Sequence, residues 1–278
     1  MITLTAGDTT DAEKDGGSID VMSGISANTN AANMGGYIRL ATGAGVGGTG
    51  GSMSLYTGLG TQMSSGSMVF KTSNAGSAGI SGALMFSSGT TSSGASGVLE
   101  IGTGTAEGGK GGYIRMTVGK TTSSGTAEDG GVITLTAGQT TDAEKDGGSI
   151  DVNAGISENV NPTNMGGYIR LATGEAQGGT GGSMSLYTAI GTETSSGSMV
   201  FKTSDAGTLG ISGALSFSSG TTSAGSSGVL HIGTGTATQG KGGYIRMTVG
   251  KTTTTQAEDG GVITLTAGQT TDTAKDGG

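Results

Sequence analysis

One stretch of this chain returns at a fixed distance, and that return constrains the fold more than any single motif. Ile2-Thr3-Leu4-Thr5-Ala6-Gly7 recurs as Ile133-Thr134-Leu135-Thr136-Ala137-Gly138, and once more as Ile263 through Gly268. The offsets are 131 and 130 residues. Inside each long repeat runs a shorter unit, G/S-G-x-Φ-x-Φ-x-T/S-G, where Φ is apolar. Its second glycine falls at Gly17, Gly36, Gly51, Gly66, Gly82, Gly97, Gly112 and Gly131, and then from Gly148 to Gly278 in nearly the same rhythm. Spacings run from 15 to 19 residues, with eight units to each long repeat. A chain with a period of this size builds its core by stacking copies of one small element.

Composition alone points elsewhere. Gly makes up 61 of 278 residues, hydrophobic residues 32% and charged residues 12%. So little apolar material is typical of disorder. The register argues against that, because a disordered tract has no reason to keep it. Collagen is excluded, since Gly does not recur at every third position and the chain holds one Pro. With no Cys, neither a disulfide framework nor a thiolate nucleophile is available.

Each unit alternates apolar and polar residues over five or six positions, which predicts a strand with one dry face. The first inward column reads Ile19, Ile38, Met53, Met68, Leu84, Leu99, Ile114, Ile133, and the second Val21, Leu40, Leu55, Phe70, Phe86, Ile101, Met116, Leu135. All four Phe (Phe70, Phe86, Phe201, Phe217) lie in the second column, whereas all six Tyr take the outward parity. A third inward column is small and mostly hydroxylic: Ser23, Thr42, Thr57, Thr72, Ser88, Thr103. We expect these hydroxyls to stack as a ladder at a corner that the following glycines allow. The Gly-rich returns between strands are unsuited to helix.

One unit buries too little to order itself, so the expected fold is all-β: a β-solenoid (β-helix) of about 15–19-residue coils, eight per 131-residue repeat. Residues 1–131 form repeat A, 132–261 repeat B, and 262–278 open a third, in one continuous solenoid. The middle outward column places Asp20 before Arg39, Glu100 before Arg115 and Asp151 before Arg170. Opposite charges one unit apart predict that consecutive units pair side by side, one unit per coil. The alternative is a coil of two units with opposed apolar faces, in which Phe70 and Phe86 meet. The chain opens and closes inside units without a polar cap, so we expect a piece of a longer array whose ends can associate.

Motifs that could carry chemistry read more simply as structure. Lys110-Gly111 and Lys241-Gly242 lie in returns, and no Gly-Lys-Ser/Thr completes a phosphate loop. The acidic return with Asp8, Asp11, Glu13 and Asp15 has the oxygen chemistry for weak Ca²⁺. The second copy keeps Asp142, Glu144 and Asp146, and the third Asp272 and Asp276. His231 stands where the first copy has Glu100, so no paired partner was copied with it. Thr-x-Thr pairs such as Thr134 with Thr136 raise ice binding, but outward Thr does not rank unit after unit. Carboxylate pairs for polysaccharide cleavage would need an irregular, aromatic-lined groove that the repeats do not supply. The expected site residues are therefore none, whether catalytic, cofactor-binding or metal-binding.

Gly130-Gly131-Val132-Ile133-Thr134-Leu135-Thr136-Ala137-Gly138 resembles the repeats of large secreted adhesins of the filamentous-haemagglutinin type, and those of Gly/Ser-rich diatom surface and adhesive proteins. The resemblance covers the whole chain and implies an extracellular, structural or adhesive role without catalytic residues. Its implied partners are other copies of the chain, joined end to end or laterally, together with surfaces or glycans. A net charge of −8 argues against nucleic acid, and no apolar run is long enough to enter a membrane. The function expected is a non-enzymatic segment of a long extracellular fibre or adhesin. The alternatives are an ice-binding solenoid and a polysaccharide-binding or -cleaving β-helix.

Overall fold

The computed structural model describes residues 2–27, 33–77, 79–122, 129–158, 161, 163–253 and 259–270. Among them no helix and no strand is formed. The expected all-β solenoid is therefore corrected: the glycine-punctuated segments follow one another without being joined into a sheet. A ladder needs two backbones edge to edge, about 4.7–4.9 Å apart. Here the backbone hydrogen bonds lie at the returns and turns, and none joins the middles of neighbouring segments among the described residues. Eleven backbone–backbone hydrogen bonds occur among the described residues, and each closes a return or a tight turn. Gly17 N–H donates to Gly7 O at 2.8 Å, Gly36 to Gly24 at 2.8 Å and Gly51 to Gly43 at 2.9 Å.

The chain divides into two units, Met1–Leu135 and Thr136–Gly278. In the first, the Phe70 and Phe86 rings meet edge to face, with centroids 6.3 Å apart and planes at 85°. In the second, Phe201 and Phe217 repeat the contact at the same distance and angle. These rings belong to consecutive segments, so those two segments bring apolar side chains together in each unit. The charge reading is corrected as well. Neither Asp20 with Arg39 nor Glu100 with Arg115 forms an ion pair. The partners found instead lie on the same segment: Arg115 Nε donates to Thr117 Oγ1 at 3.1 Å, and Ser149 Oγ to Asp151 Oδ2 at 3.5 Å.

One register joins each pair of neighbours among the described residues. The second glycine of each segment sits against the third-column residue of the segment before it. A Cβ built on Gly36 would lie 3.2 Å from Ser23 Cβ, on Gly51 3.2 Å from Thr42 Cβ, and on Gly112 2.9 Å from Thr103 Cβ. The same pairing joins Gly182 to Thr173 and Gly243 to Thr234 in the second unit. No hydrogen bond joins one of these hydroxyls to another among the described residues. Ser23 Oγ donates to Gly36 O at 3.0 Å, and Thr203 Oγ1 to Gly213 O at 3.1 Å, so each ties the end of one segment to the start of the next. The corner glycines Gly24 and Gly43 also lack the positive φ expected of them. That conformation appears inside the returns, at Gly47 (φ 80°), Gly94 (φ 114°) and Gly108 (φ 78°).

The two-residue alternation survives without a sheet. From Ile19 to Ile263 the first column is 45–55% exposed, whereas the six Tyr are 83–87% exposed. No residue is fully buried among those described. The accessible surface is 27991 Å². A globule of this mass exposes roughly 10,700 Å² and a fully extended chain about 38,600 Å².

The edge-to-face ring contact carries an expected result. In a double-mutant cycle on Phe70→Ala and Phe86→Ala, the two changes should couple by about 1 kcal/mol in denaturant unfolding. Additive losses would mean that the rings do not touch in solution.

Candidate functional site

The residues singled out in the sequence are mostly held by their own loops. In the acidic return, Thr9 Oγ1 accepts from Asp11 N–H at 3.1 Å, and Asp11 Oδ1 accepts from Glu13 N–H at 3.0 Å. The second copy repeats this with Thr140, Asp142 and Glu144, each bond at 3.1 Å. Lys14 N–H and Lys145 N–H close these turns on Asp11 O and Asp142 O at 3.3 Å. One carboxylate in each return is therefore occupied in shaping the loop. Among the described residues no three acidic or histidine side chains are grouped to hold a metal ion. Asp272 and Asp276 of the third return lie outside the described residues.

His231 is exposed and lies along its own segment, its Nε2 3.1 Å from where a Cβ on Gly233 would stand. Thr134 and Thr136 are exposed on the outward parity. Lys110 and Lys241 are exposed in their returns, and no cavity opens among the described residues.

A different feature emerges from the outward face. Lys110-Gly111-Gly112-Tyr113-Ile114-Arg115-Met116-Thr117-Val118-Gly119-Lys120 recurs without a change as residues 241–251. Each copy holds three cations and no acid, in a chain with 13 Lys and Arg against 21 Asp and Glu. Tyr113, Arg115 and Thr117 share the outward parity, as do Tyr244, Arg246 and Thr248. Both tyrosines are 83% exposed. Arg246 Nε donates to Thr248 Oγ1 at 3.1 Å, as Arg115 does to Thr117. Arg39 and Arg170 cannot copy this bond, because Ala41 and Ala172 stand where the threonines would be. The sequence signal for these rows was the exact repetition of an acid-free cationic stretch. Reading Lys110 only against a phosphate loop, and Arg115 only against Glu100, missed it.

Comparison with known protein families, curated proteins and solved structures finds no match to this chain.

Proposed function

We propose that the chain is a non-catalytic, structural and adhesive segment of a long extracellular fibre that assembles with other copies of itself. The observation that carries this reading is one joint used throughout both repeats. Every described segment from Gly17 to Gly261 docks its second glycine on the residue closing the segment before it. A contact repeated from segment to segment suits a molecule whose useful property is length. Half-exposed apolar columns support the self-assembling part of the reading. Leu40, Leu55, Phe70 and Phe86 each keep more than half of their surface in water, and such exposure is what association covers. The returns and outward columns, rich in Ser, Thr and Gly, form the hydrated surface of the fibre.

Electron microscopy of the purified chain across a concentration series tests this. Unbranched filaments that lengthen with concentration are the expected result. Monodisperse particles at every concentration, with a sedimentation coefficient that does not change, would overturn the proposal.

A further inference from the structure

We infer that the two outward rows, Lys110–Lys120 and Lys241–Lys251, bind acidic polysaccharide through sulfate or carboxylate groups on sugars. This deepens the adhesive reading and rests on it for its setting, but binding and assembly can fail separately.

Arginine presents a planar fork that matches a carboxylate or sulfate with two parallel hydrogen bonds. In both rows the Arg Nε is already held by a threonine two residues on, at 3.1 Å. That bond lays the guanidinium along the segment and leaves its terminal amino groups for a ligand. An ordered side chain of this kind loses less freedom on binding than a free one. Tyr113 and Tyr244 stand two residues before the arginine on the same parity, about 7 Å away along an extended backbone. Their exposed rings offer an apolar face beside a polar tip, which suits a sugar ring carrying both C–H and hydroxyl groups. Lys110 and Lys120 flank the arginine, each five residues or about 17 Å of extended chain away.

This cation spacing selects the partner. Duplex DNA carries a charge every 1.7 Å or so, and binding it calls for a dense basic stripe. Here the cations are sparse and the whole chain is anionic at −8, which opposes a dense polyanion. A sugar polymer with widely spaced acidic groups suffers less repulsion and can reach each cation in turn. The two copies also differ around the row. Glu100 and Glu107 precede the first, whereas His231 and Thr238 replace them before the second. The Lys241–Lys251 row thus has fewer acids near it and should bind more tightly.

The test titrates the full chain with κ-carrageenan and hyaluronan, which carry a single sulfate or a single carboxylate on every second sugar, using uncharged dextran and single-stranded oligo-dT as comparators. Binding to either acidic polysaccharide is expected, tighter than to both comparators, and whichever binds better identifies the anionic group. Affinity should fall roughly tenfold between 50 and 200 mM salt, as for a few cation–anion contacts. Changing Lys110, Arg115, Lys120, Lys241, Arg246 and Lys251 to Gln should weaken binding tenfold or more. Arg115→Lys with Arg246→Lys, which keeps the charge but loses the fork and the threonine bond, should weaken it severalfold. A matched variant with Lys14, Arg39, Lys71, Lys145, Arg170 and Lys202 changed to Gln should stay within threefold of the parent. Equal losses in the two six-site variants, equal or tighter binding of oligo-dT, or affinity indifferent to salt would each overturn the inference. Micrographs of the variants separate a lost ligand from lost assembly.

Discussion

Gly17→Ala and Gly148→Ala should each cost about 1–3 kcal/mol, while Gly16→Ala and Gly147→Ala, one residue earlier, should be neutral or slightly stabilising. The contrast follows from what a methyl group would meet. At Gly17 it would lie 2.9 Å from Gly7 N, 3.1 Å from Ala6 Cβ and 3.3 Å from Gly7 O. At Gly148 it would lie 3.0 Å from Gly138 N and 3.3 Å from Gly138 O. These are backbone atoms or a Cβ, so no rotamer change can make room. Opening the joint instead would stretch the bond from Gly17 N–H to Gly7 O, now 2.8 Å. At Gly16 and Gly147 the nearest atom is a carbonyl oxygen at 3.8 Å, an ordinary contact. Neither glycine has a positive φ, so alanine there removes freedom from the unfolded chain without strain. Urea midpoints of the four variants check this. Equal effects at first and second glycines would mean that the joint does not form as described.

The second large effect concerns hydrogen exchange. Amides in the middle of the segments, such as those of Ile38, Leu40, Met53 and Leu55, make no backbone hydrogen bond among the described residues. Their side chains also keep about half or more of their surface exposed. Little protects such amides in a single chain. In dilute solution they should exchange within about tenfold of the unstructured rate. In concentrated, associated material, the same amides should slow by a factor of a thousand or more, because a burial that one chain leaves incomplete is completed by its neighbours. Exchange followed by mass spectrometry at both concentrations reads this directly. Strong protection at high dilution would show that a single chain satisfies its own backbone, and equal fast exchange at both concentrations would remove the assembly reading.

Much of the local order was legible from residue types. Alternation identified the columns that come out half-covered, from Ile19 to Ile263, and the parity that leaves Tyr37 and Tyr113 in water. The glycine rhythm marked where one segment hands over to the next. The acid-free stretches Lys110–Lys120 and Lys241–Lys251 were equally visible, since they are identical strings. Two errors came from one source. Asp20 with Arg39, and Glu100 with Arg115, looked like lateral neighbours because opposite charges one unit apart fit an edge-to-edge pairing. The third-column hydroxyls looked like a stacked ladder on the same assumption. Neighbours hydrogen-bonded along their edges and neighbours hydrogen-bonded only at their returns leave the same mark in a sequence, because period, parity and charge order are unchanged between them.

By itself, then, the sequence determined the length of each repeat, the positions of the joints and the face on which each side chain lies. These depend on backbone periodicity and on the absence of a Cβ, both of which are properties of single residues. The tertiary structure decided which surfaces meet: Phe70 on Phe86, Ser23 on Gly36, and Arg115 on Thr117 rather than Glu100. The Phe and Ser contacts join different segments, so they depend on where each return brings the chain back rather than on any residue within one segment.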